Sequence, residues 1–175
     1  MSILCLGPKG SGKTLLLNTL QDPDSVNENT HSIPTIGTNI FTIKLPVKET
    51  EGKKKANAKQ YVQIRELGGT MAPMWKQYYD DVEKIMYVID TSNLCQISAA
   101  GVLLYSILSE PRLQKVKIII ILTKMDFSYR QMRNEALLMM QMRELEKQVS
   151  QKLTIVQASA ISNEGVDEIF EWLMK

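Results

Sequence analysis

The sequence predicts an α/β fold in which a mostly parallel six-stranded sheet carries helices on both faces. Short apolar runs alternate with segments of helical periodicity along all 175 residues. Two of these runs, 85–89 and 116–122, are apolar at nearly every position, which is typical of central parallel strands. Strands that alternate with helices form a sheet between two helical layers. The length fits one domain, which we expect to span 1–175.

Each element is expected from its own pattern. A buried strand at 2–6 precedes a helix at 14–20. Residues 39–47 and 60–67 alternate apolar and polar side chains, as half-buried strands do, and we expect them to pair as an antiparallel hairpin at one edge. The remaining strands are expected at 85–89, 116–122 and 153–156, and the remaining helices at 98–109, 131–147 and 166–174.

A basic segment separates the two strands of the expected hairpin. Residues 48–59 read KETEGKKKANAK and hold five lysines, two glutamates and no large apolar side chain. We interpret the segment as a solvated loop rather than a domain boundary, because the flanking strands pair across it. Contact with an acidic partner or with lipid headgroups is the alternative.

Composition argues against several functional classes. A net charge of +2 is too small to indicate nucleic-acid binding. The two cysteines, Cys5 and Cys95, form no disulfide framework, so we expect a reducing compartment, either the cytoplasm or the nucleus. Cys5 lies in an apolar run and is expected to be buried. No apolar run is long enough for a membrane span, Ser2 lacks the myristoylation glycine, and no prenylation cysteine is present, so we expect no intrinsic lipid anchor.

The most specific motif is a glycine-rich loop between the first strand and the first helix. It matches G-x-x-x-x-G-K-[ST] and consists of Gly7, Pro8, Lys9, Gly10, Ser11, Gly12, Lys13 and Thr14. Glycines let the backbone wrap around a phosphate and aim its N–H groups at the oxygens, and the next helix presents its positive N-terminal end. Lys13 is expected to reach the terminal phosphates of a nucleotide, and the Thr14 hydroxyl is expected to bind Mg²⁺.

Two later motifs favour guanine over adenine. Thr123, Lys124 and Asp126 belong to a TKMD sequence directly after the run 116–122. The carboxylate of Asp126 can accept hydrogen bonds from guanine N1 and its 2-amino group, a donor pair that adenine lacks. The stem of Lys124 can cover the base plane. The remaining candidates, Ser159 and Ala160, follow the last strand, where the Ala160 N–H can donate to guanine O6.

Taken in order, the motifs resemble those of small GTPases. They are GPKGSGKT, PTIGTN at 34–39, ELGG at 66–69, TKMD and SA, and they span essentially the whole chain. PTIG, and LGG followed by Trp75 and Tyr78, resemble the ADP-ribosylation-factor-like (Arf-like) branch. The resemblance implies the P-loop NTPase fold and a monomeric switch that binds GTP or GDP with Mg²⁺. It also implies protein effectors and an exchange factor that contact two switch segments, and partner-driven recruitment to Golgi or cilium-linked membranes.

The resemblance also implies individual roles. Thr35 lies in switch I and would touch Mg²⁺ and the γ-phosphate. Gly69 lies in switch II, where its N–H would bind the γ-phosphate. Glu66 would lie near Mg²⁺, as a ligand or through a water. The implied catalytic set is therefore Lys13, Thr35, Gly69 and Thr70, and the implied metal set is Thr14, Thr35 and Glu66.

Several positions depart from the family pattern. Glu66 replaces the usual aspartate, Thr70 replaces the glutamine that orients the attacking water, and Thr123 replaces an asparagine. Thr38 and Arg65 stand where the family tends to have phenylalanine and tryptophan. The amphipathic helix that precedes the first strand in Arf proteins is also missing from this sequence. We therefore expect partners that differ from those of ordinary Arf proteins.

Three functions fit the motifs at this point. The first is a regulatory GTPase that cycles by hydrolysis. The second is a GTP-dependent binding or scaffold module without significant hydrolysis, which Thr70 favours. The third is a small P-loop kinase acting on nucleotides, in which Asp126 and Ala160 would have no role.

Overall fold

The computed structural model describes residues 2–27, 29–31, 33–46, 61–123, 140 and 142–175. These residues form one six-stranded sheet in the order β2-β3-β1-β4-β5-β6. The strands are β1 (Ser2–Leu6), β2 (Thr38–Lys44), β3 (Tyr61–Leu67), β4 (Val82–Asp90), β5 (Lys117–Thr123) and β6 (Lys152–Gln157). The described α-helices are α1 (Lys13–Gln21), α2 (Leu94–Leu108), α3 (Met142–Gln148) and α4 (Val166–Met174).

The sheet has the predicted topology. β2 and β3 pair antiparallel, with Phe41 opposite Ile64, and every other pair of neighbouring strands is parallel. Phe41 and Ile43 of β2, and Leu45 just after it, are buried on one face, as expected. The fold class and the edge hairpin are therefore confirmed, whereas the basic segment 48–59 lies outside the described residues.

Two apolar cores cover the two faces of the sheet. In β1, Leu4 and Leu6 face the core beneath α2, while Ile3 and Cys5 face the core beneath α1 and α4. Because both faces of the central strands are covered, these strands need apolar residues at nearly every position. Cys5 is fully buried, as predicted, and burial raises the pKa of its thiol.

Some element boundaries differ from the sequence expectation. Helix α2 begins four residues before the expected position 98, because the Asn93 side chain caps it by accepting hydrogen bonds from the N–H groups of Cys95 and Gln96. Three short 3₁₀ helices, at Pro23–Ser25, Gly69–Tyr78 and Pro111–Leu113, were not expected. Of the helix expected at 131–147, only residue 140 and the part from Met142 onward fall within the described residues. No helix among the described residues is long and apolar enough to cross a lipid bilayer.

The start of β4 is tied to the end of α4 by a buried cation. The ammonium of Lys84 donates to the carbonyl oxygens of Leu173 at 2.6 Å and Trp172 at 3.4 Å, and lies 5.4 Å from the centre of the Trp172 ring. Carbonyls in the last turn of a helix have no partner within that helix, and the negative end of the helix dipole attracts a cation. Lys84 therefore anchors the last turn of α4 to the sheet.

We expect Lys84→Met to lower the free energy of unfolding by about 1–3 kcal/mol, because carbonyls at the end of α4 lose a charged donor. Lys117 is a matched control on the neighbouring strand, since it is exposed and donates to the Lys175 carbonyl at 3.0 Å. Lys117→Met should change the unfolding free energy by less than about 0.5 kcal/mol. Urea denaturation measures both, and equal losses would show that burial of Lys84 is not what matters.

Candidate functional site

The glycine-rich loop connects β1 to α1 and forms one wall of a polar cavity. Gly10 and Gly12 have φ angles of +77° and +89°, which favour glycine. At Gly7, a Cβ atom would lie 2.2 Å from the Val88 carbonyl oxygen, so the loop can pass β4 only with glycine there. Gly12 precedes the first residue of α1, and this helix N-terminus borders the cavity with its unpaired N–H groups. The loop therefore has the form of an anion-binding cradle.

Lys13 brings a buried cation into this cradle. It is 5% exposed, and its ammonium donates to the carbonyl oxygens of Gly7 at 3.0 Å and Pro8 at 2.9 Å. Burial lowers the pKa of Lys13 below its ordinary value of 10.5, although nearby Cys5 and Glu66 act in the opposite direction. Because the lysine is already largely desolvated, an oxyanion in the cavity would interact with it strongly.

Three side-chain oxygens converge beside Lys13. The Thr14 hydroxyl donates to Glu66 Oε1 at 2.6 Å, and the Thr35 hydroxyl donates to the same oxygen at 3.2 Å. The two hydroxyl oxygens are 3.1 Å apart. The other carboxylate oxygen, Oε2, accepts a hydrogen bond from the Asn39 amide at 3.3 Å. Residues from α1, from the segment before β2 and from the end of β3 thus meet at one point.

The glycine pair after β3 packs too tightly to admit a side chain. A Cβ atom on Gly68 would lie 2.4 Å from the Thr35 carbonyl oxygen, and one on Gly69 would lie 2.2 Å from the Lys9 nitrogen. The Gly68 N–H also donates to the Gly37 carbonyl at 3.0 Å. The residues around Thr35 and the start of the 3₁₀ helix Gly69–Tyr78 are therefore in direct contact with each other and with the glycine-rich loop.

Thr123 anchors the loop from the opposite side. Its hydroxyl lies 2.7 Å from the Ser11 carbonyl oxygen and 3.0 Å from the Ile89 carbonyl oxygen. Thr123 is the last residue of β5, so its hydroxyl holds the glycine-rich loop to the sheet. The threonine that replaces the family's asparagine therefore has a structural role. Lys124 and Asp126, the next two candidates, lie outside the described residues.

We expect Thr123→Val to accelerate nucleotide release about three- to tenfold, because the buried Ser11 carbonyl loses its donor while the side-chain shape is kept. Thr123→Ser keeps the hydroxyl and is the matched control, with a release rate close to wild type. Stopped-flow measurement of fluorescent-nucleotide dissociation decides between them. Identical rates for the valine and serine variants would contradict a role for the hydroxyl.

The loop after β6 brings the last two candidates to the same end of the sheet. Ser159 is buried, and its N–H donates to the Glu164 carbonyl at 3.0 Å. The Thr19 hydroxyl of α1 donates to the Ala160 carbonyl at 3.1 Å. β6 lies beside β5 and runs parallel to it. This loop and Thr123, the last residue of β5, therefore lie at the carboxyl ends of neighbouring strands. The loop is thus fixed against α1.

The cavity collects most of the predicted phosphate and metal residues. It is lined by Lys9, Gly10, Gly12, Lys13, Thr14, Ile33, Pro34, Thr35, Glu66 and Gly69. Pro8 and Ser11 are buried in the loop wall, and Thr70 is exposed and is not among the lining residues. Sequence reasoning missed Ile33 and Asn39. The hairpin register places Asn39 opposite Glu66, and aligning the two strands could have found it.

The oxygens in the cavity suit a magnesium ion. Mg²⁺ prefers hydroxyl, carboxylate and phosphate oxygens, and proteins often hold it with one carboxylate while substrate phosphates supply further ligands. Thr14, Thr35 and Glu66 provide such a set. Elsewhere in the described part of the chain, no group of three or more His, Cys, Asp or Glu side chains could hold a metal.

Comparisons with known proteins agree on one family. The family model described as the ADP-ribosylation factor family matches residues 1–175. Human ADP-ribosylation factor-like protein 16 is 30% identical over 176 residues, covering 97% of this chain and 83% of the relative. ADP-ribosylation factor-like protein 1 of Saccharomyces cerevisiae is 30% identical, covering 99% and 86%. The Trypanosoma brucei Arl6 BBS3 small GTPase, solved with the nucleotide analogue GppNp, has a TM-score of 0.76 at 19% identity, covering 99% of this chain and 94% of that chain.

Proposed function

Because the chain belongs to the ADP-ribosylation factor family, we propose that it is a GTP-binding molecular switch of the Arf-like small-GTPase type. One domain spanning 1–175 binds GTP and GDP with Mg²⁺ in the polar cavity. The observation that carries this proposal is the meeting of Thr14, Thr35 and Glu66 oxygens within 3.2 Å of one another, beside the buried ammonium of Lys13. A cation and hard oxygen donors side by side suit a metal-bound polyphosphate.

Different residues around the cavity would bind different parts of the nucleotide. The N–H groups of the loop Gly7 to Gly12 and of the α1 N-terminus hold phosphate oxygens, and Lys13 neutralises the terminal phosphates. Bound Mg²⁺ would supply positive charge to stabilise those phosphates. Thr35 and Gly69 would sense the γ-phosphate.

Loss of the γ-phosphate would release two segments. We name residues 33–39 switch I and residues 68–78 switch II. Switch I holds Thr35 and switch II holds Gly69, and the two touch through Gly68. Contacts to a terminal phosphate that order such segments, and their release after hydrolysis, form the usual order–disorder switch of GTPases.

Base recognition is assigned to the loops after β5 and β6. Asp126 accepts from guanine N1 and the 2-amino group, Lys124 covers the base, and the Ala160 N–H donates to O6. Thr123 and Ser159 support these loops through the contacts described above. The proximity of the ends of β5 and β6 supports this assignment.

Nucleotide analysis tests the proposal. Chromatography of nucleotide released from the purified protein should show GDP or GTP. Competition against a fluorescent guanine nucleotide should show at least about a thousandfold preference for GTP over ATP, because adenine offers no donor pair to the Asp126 carboxylate. Equal binding of ATP and GTP would contradict the assignment of Asp126. Phosphoryl transfer to a second substrate would favour the kinase hypothesis instead.

Partners are expected on the two switch segments. Ile33 and Ile36 of switch I and Ile40 of β2 are large apolar side chains that are 86%, 95% and 60% exposed. Large exposed apolar side chains on a small domain indicate a protein-binding surface. Arg65 packs its guanidinium 5.7 Å from the centre of the Tyr78 ring, giving this surface a charge where the family tends to have tryptophan. We propose a cytoplasmic monomer that effectors and an exchange factor contact here and that partners recruit to Golgi or cilium-linked membranes.

Thr70 favours weak intrinsic hydrolysis, with a GTP-dependent binding module as the second candidate function. Its side chain is exposed and does not line the cavity. A glutamine at this position offers an acceptor and donors on a reach of two methylenes, whereas threonine has one short hydroxyl. Thr70 therefore supplies no amide to orient the attacking water.

We expect wild-type GTP hydrolysis to be well below the rate, on the order of 10⁻⁴ per second, of glutamine-containing small GTPases acting alone, and Thr70→Gln to be at least about tenfold faster than wild type, because the added amide can position water. Thr70→Asn carries the same amide on one methylene fewer and serves as the control, with little gain. Single-turnover assays with purified protein measure all three. A wild-type rate typical of glutamine-containing GTPases, or no gain in Thr70→Gln, would count against this explanation.

A further inference from the structure

Glu66 has a position that an aspartate could not reach. Resting on the proposed function, we propose that Glu66 is a direct ligand of the bound divalent cation through Oε1, in place of a water molecule. Its carboxylate is 1% exposed and lies at the carboxyl end of β3, inside the cavity. The consequence is a metal site with one protein carboxylate bonded to the ion rather than held away from it.

The side-chain oxygen atoms of Thr14, Thr35 and Glu66 form a triangle. The separations are 2.6 Å between Thr14 Oγ1 and Glu66 Oε1, 3.1 Å between Thr14 Oγ1 and Thr35 Oγ1, and 3.2 Å between Thr35 Oγ1 and Glu66 Oε1. Mg²⁺ demands near-ideal octahedral geometry at 2.0–2.1 Å, so adjacent ligand oxygens lie about 3.0 Å apart. The three observed separations bracket that value. The three atoms can therefore occupy one triangular face of the octahedron.

Asn39 orients the Glu66 carboxylate. Oε2 accepts a hydrogen bond from the Asn39 amide at 3.3 Å, and Asn39 is the register partner of Glu66 across the β2–β3 pair. This contact turns Oε1 toward the two hydroxyls and leaves Oε2 occupied. A ligand carboxylate whose second oxygen is hydrogen-bonded is the usual arrangement around protein-bound metals. Asn39 is thus a positioning residue for a monodentate ligand.

The length of the Glu66 side chain lets its carboxylate reach both hydroxyls. Removing one methylene would withdraw the carboxylate by about 1.5 Å, the length of a carbon–carbon bond. From there it would no longer lie within 3.2 Å of the Thr35 hydroxyl, and a water would have to bridge the carboxylate to the ion. Glu66→Asp therefore separates direct ligation from simple charge.

The experiment counts water ligands on Mn²⁺, which substitutes for Mg²⁺. The protein is loaded with Mn²⁺ and the imido analogue of GTP, and electron paramagnetic resonance lines are compared in ordinary and ¹⁷O-enriched water. We expect the wild type to carry one coordinated water fewer than Glu66→Asp. The wild-type count is informative alone: with Thr14, Thr35, two phosphate oxygens and Glu66 bound, a six-coordinate ion has room for one water, and without Glu66 it has room for two.

Each outcome has a defined meaning. Equal water counts in the two proteins, or two waters on the wild-type ion, would overturn the proposal and leave Glu66 as an acceptor for the hydroxyls that hold the ion. If Glu66→Asp does not fold, the wild-type count still decides. Asn39→Ala should raise the Mn²⁺ dissociation constant about three- to tenfold, since freeing Oε2 loosens the ligand. Failure of the wild type to form any Mn²⁺–nucleotide complex would instead contradict the proposed function.

Discussion

Lys13→Met is expected to weaken the binding of GTP and GDP by at least about thirtyfold, because removing one partner of a buried charge pair typically costs about 2–5 kcal/mol. The ammonium of Lys13 is held inside the loop by the Gly7 and Pro8 carbonyls, so it is preorganised for phosphate. Methionine fills a similar volume without the charge. Titration with a fluorescent guanine nucleotide measures the loss.

The same substitution should leave the nucleotide-free protein folded. Burial lowers the pKa of Lys13, which means that the folded state disfavours its charged form. The unfolded chain therefore binds more protons between the lowered pKa and 10.5, and wild-type stability should rise with pH across that window. Lys13→Met should lose this rise.

Lys9→Met is the matched control for Lys13→Met. Lys9 lies in the same loop but its side chain is exposed, so nucleotide affinity should fall by only a few-fold. A similar loss of affinity in both variants would show that overall charge matters rather than the buried position. Normal GTP binding by Lys13→Met would mean that the phosphate site is wrongly assigned.

Asp126→Asn is expected to lower GTP affinity by about a hundredfold and to favour a xanthine nucleotide, because the new amide keeps only one acceptor oxygen for the two guanine donors, N1 and the 2-amino group, while its NH₂ can donate to O2 of xanthine. Asp126 follows β5, whose last residue, Thr123, anchors the phosphate loop. The base and the phosphates would therefore be bound from the same strand end. Competition among GTP, xanthosine triphosphate and ATP measures the exchange of preference.

Asp24→Asn makes the same chemical change at an exposed position in the 3₁₀ helix Pro23–Ser25 and should leave all three affinities unchanged. If the Asp126→Asn protein kept the wild-type preference for GTP, residues other than Asp126 would have to recognise the base.

Apolar periodicity predicted the sheet because each buried position of a strand requires an apolar residue. β1, with Leu4 and Leu6 on one face and Ile3 and Cys5 on the other, is apolar because both faces are covered. The 3₁₀ helix Gly69–Tyr78 escaped prediction because it contains Pro73 and follows no helical spacing. Tertiary contact stabilises it instead, since Trp75 donates its indole N–H to the Gly68 carbonyl at 3.1 Å.

The site was predictable in its parts and less so in its geometry. The motif spacing indicated Lys13 and Thr14, and the family resemblance added Thr35 and Glu66. How closely their side chains meet depends on rotamers, and a sequence does not encode those in any local pattern. The role of Asn39 needed the strand register, and that of Thr123 needed the path of the loop over β5.

The packing of Trp75 gives the protein an optical property. The chain has two tryptophans, and Trp75 is buried with its indole N–H on the carbonyl of Gly68, the residue that also touches Thr35. Indole emission responds to the loss of such a hydrogen bond and to entry of water. A rearrangement of switch II that breaks this hydrogen bond would therefore change the fluorescence of Trp75 directly. With Trp172 replaced by phenylalanine, the remaining emission would report the opening and closing of the switch in real time, without an attached dye.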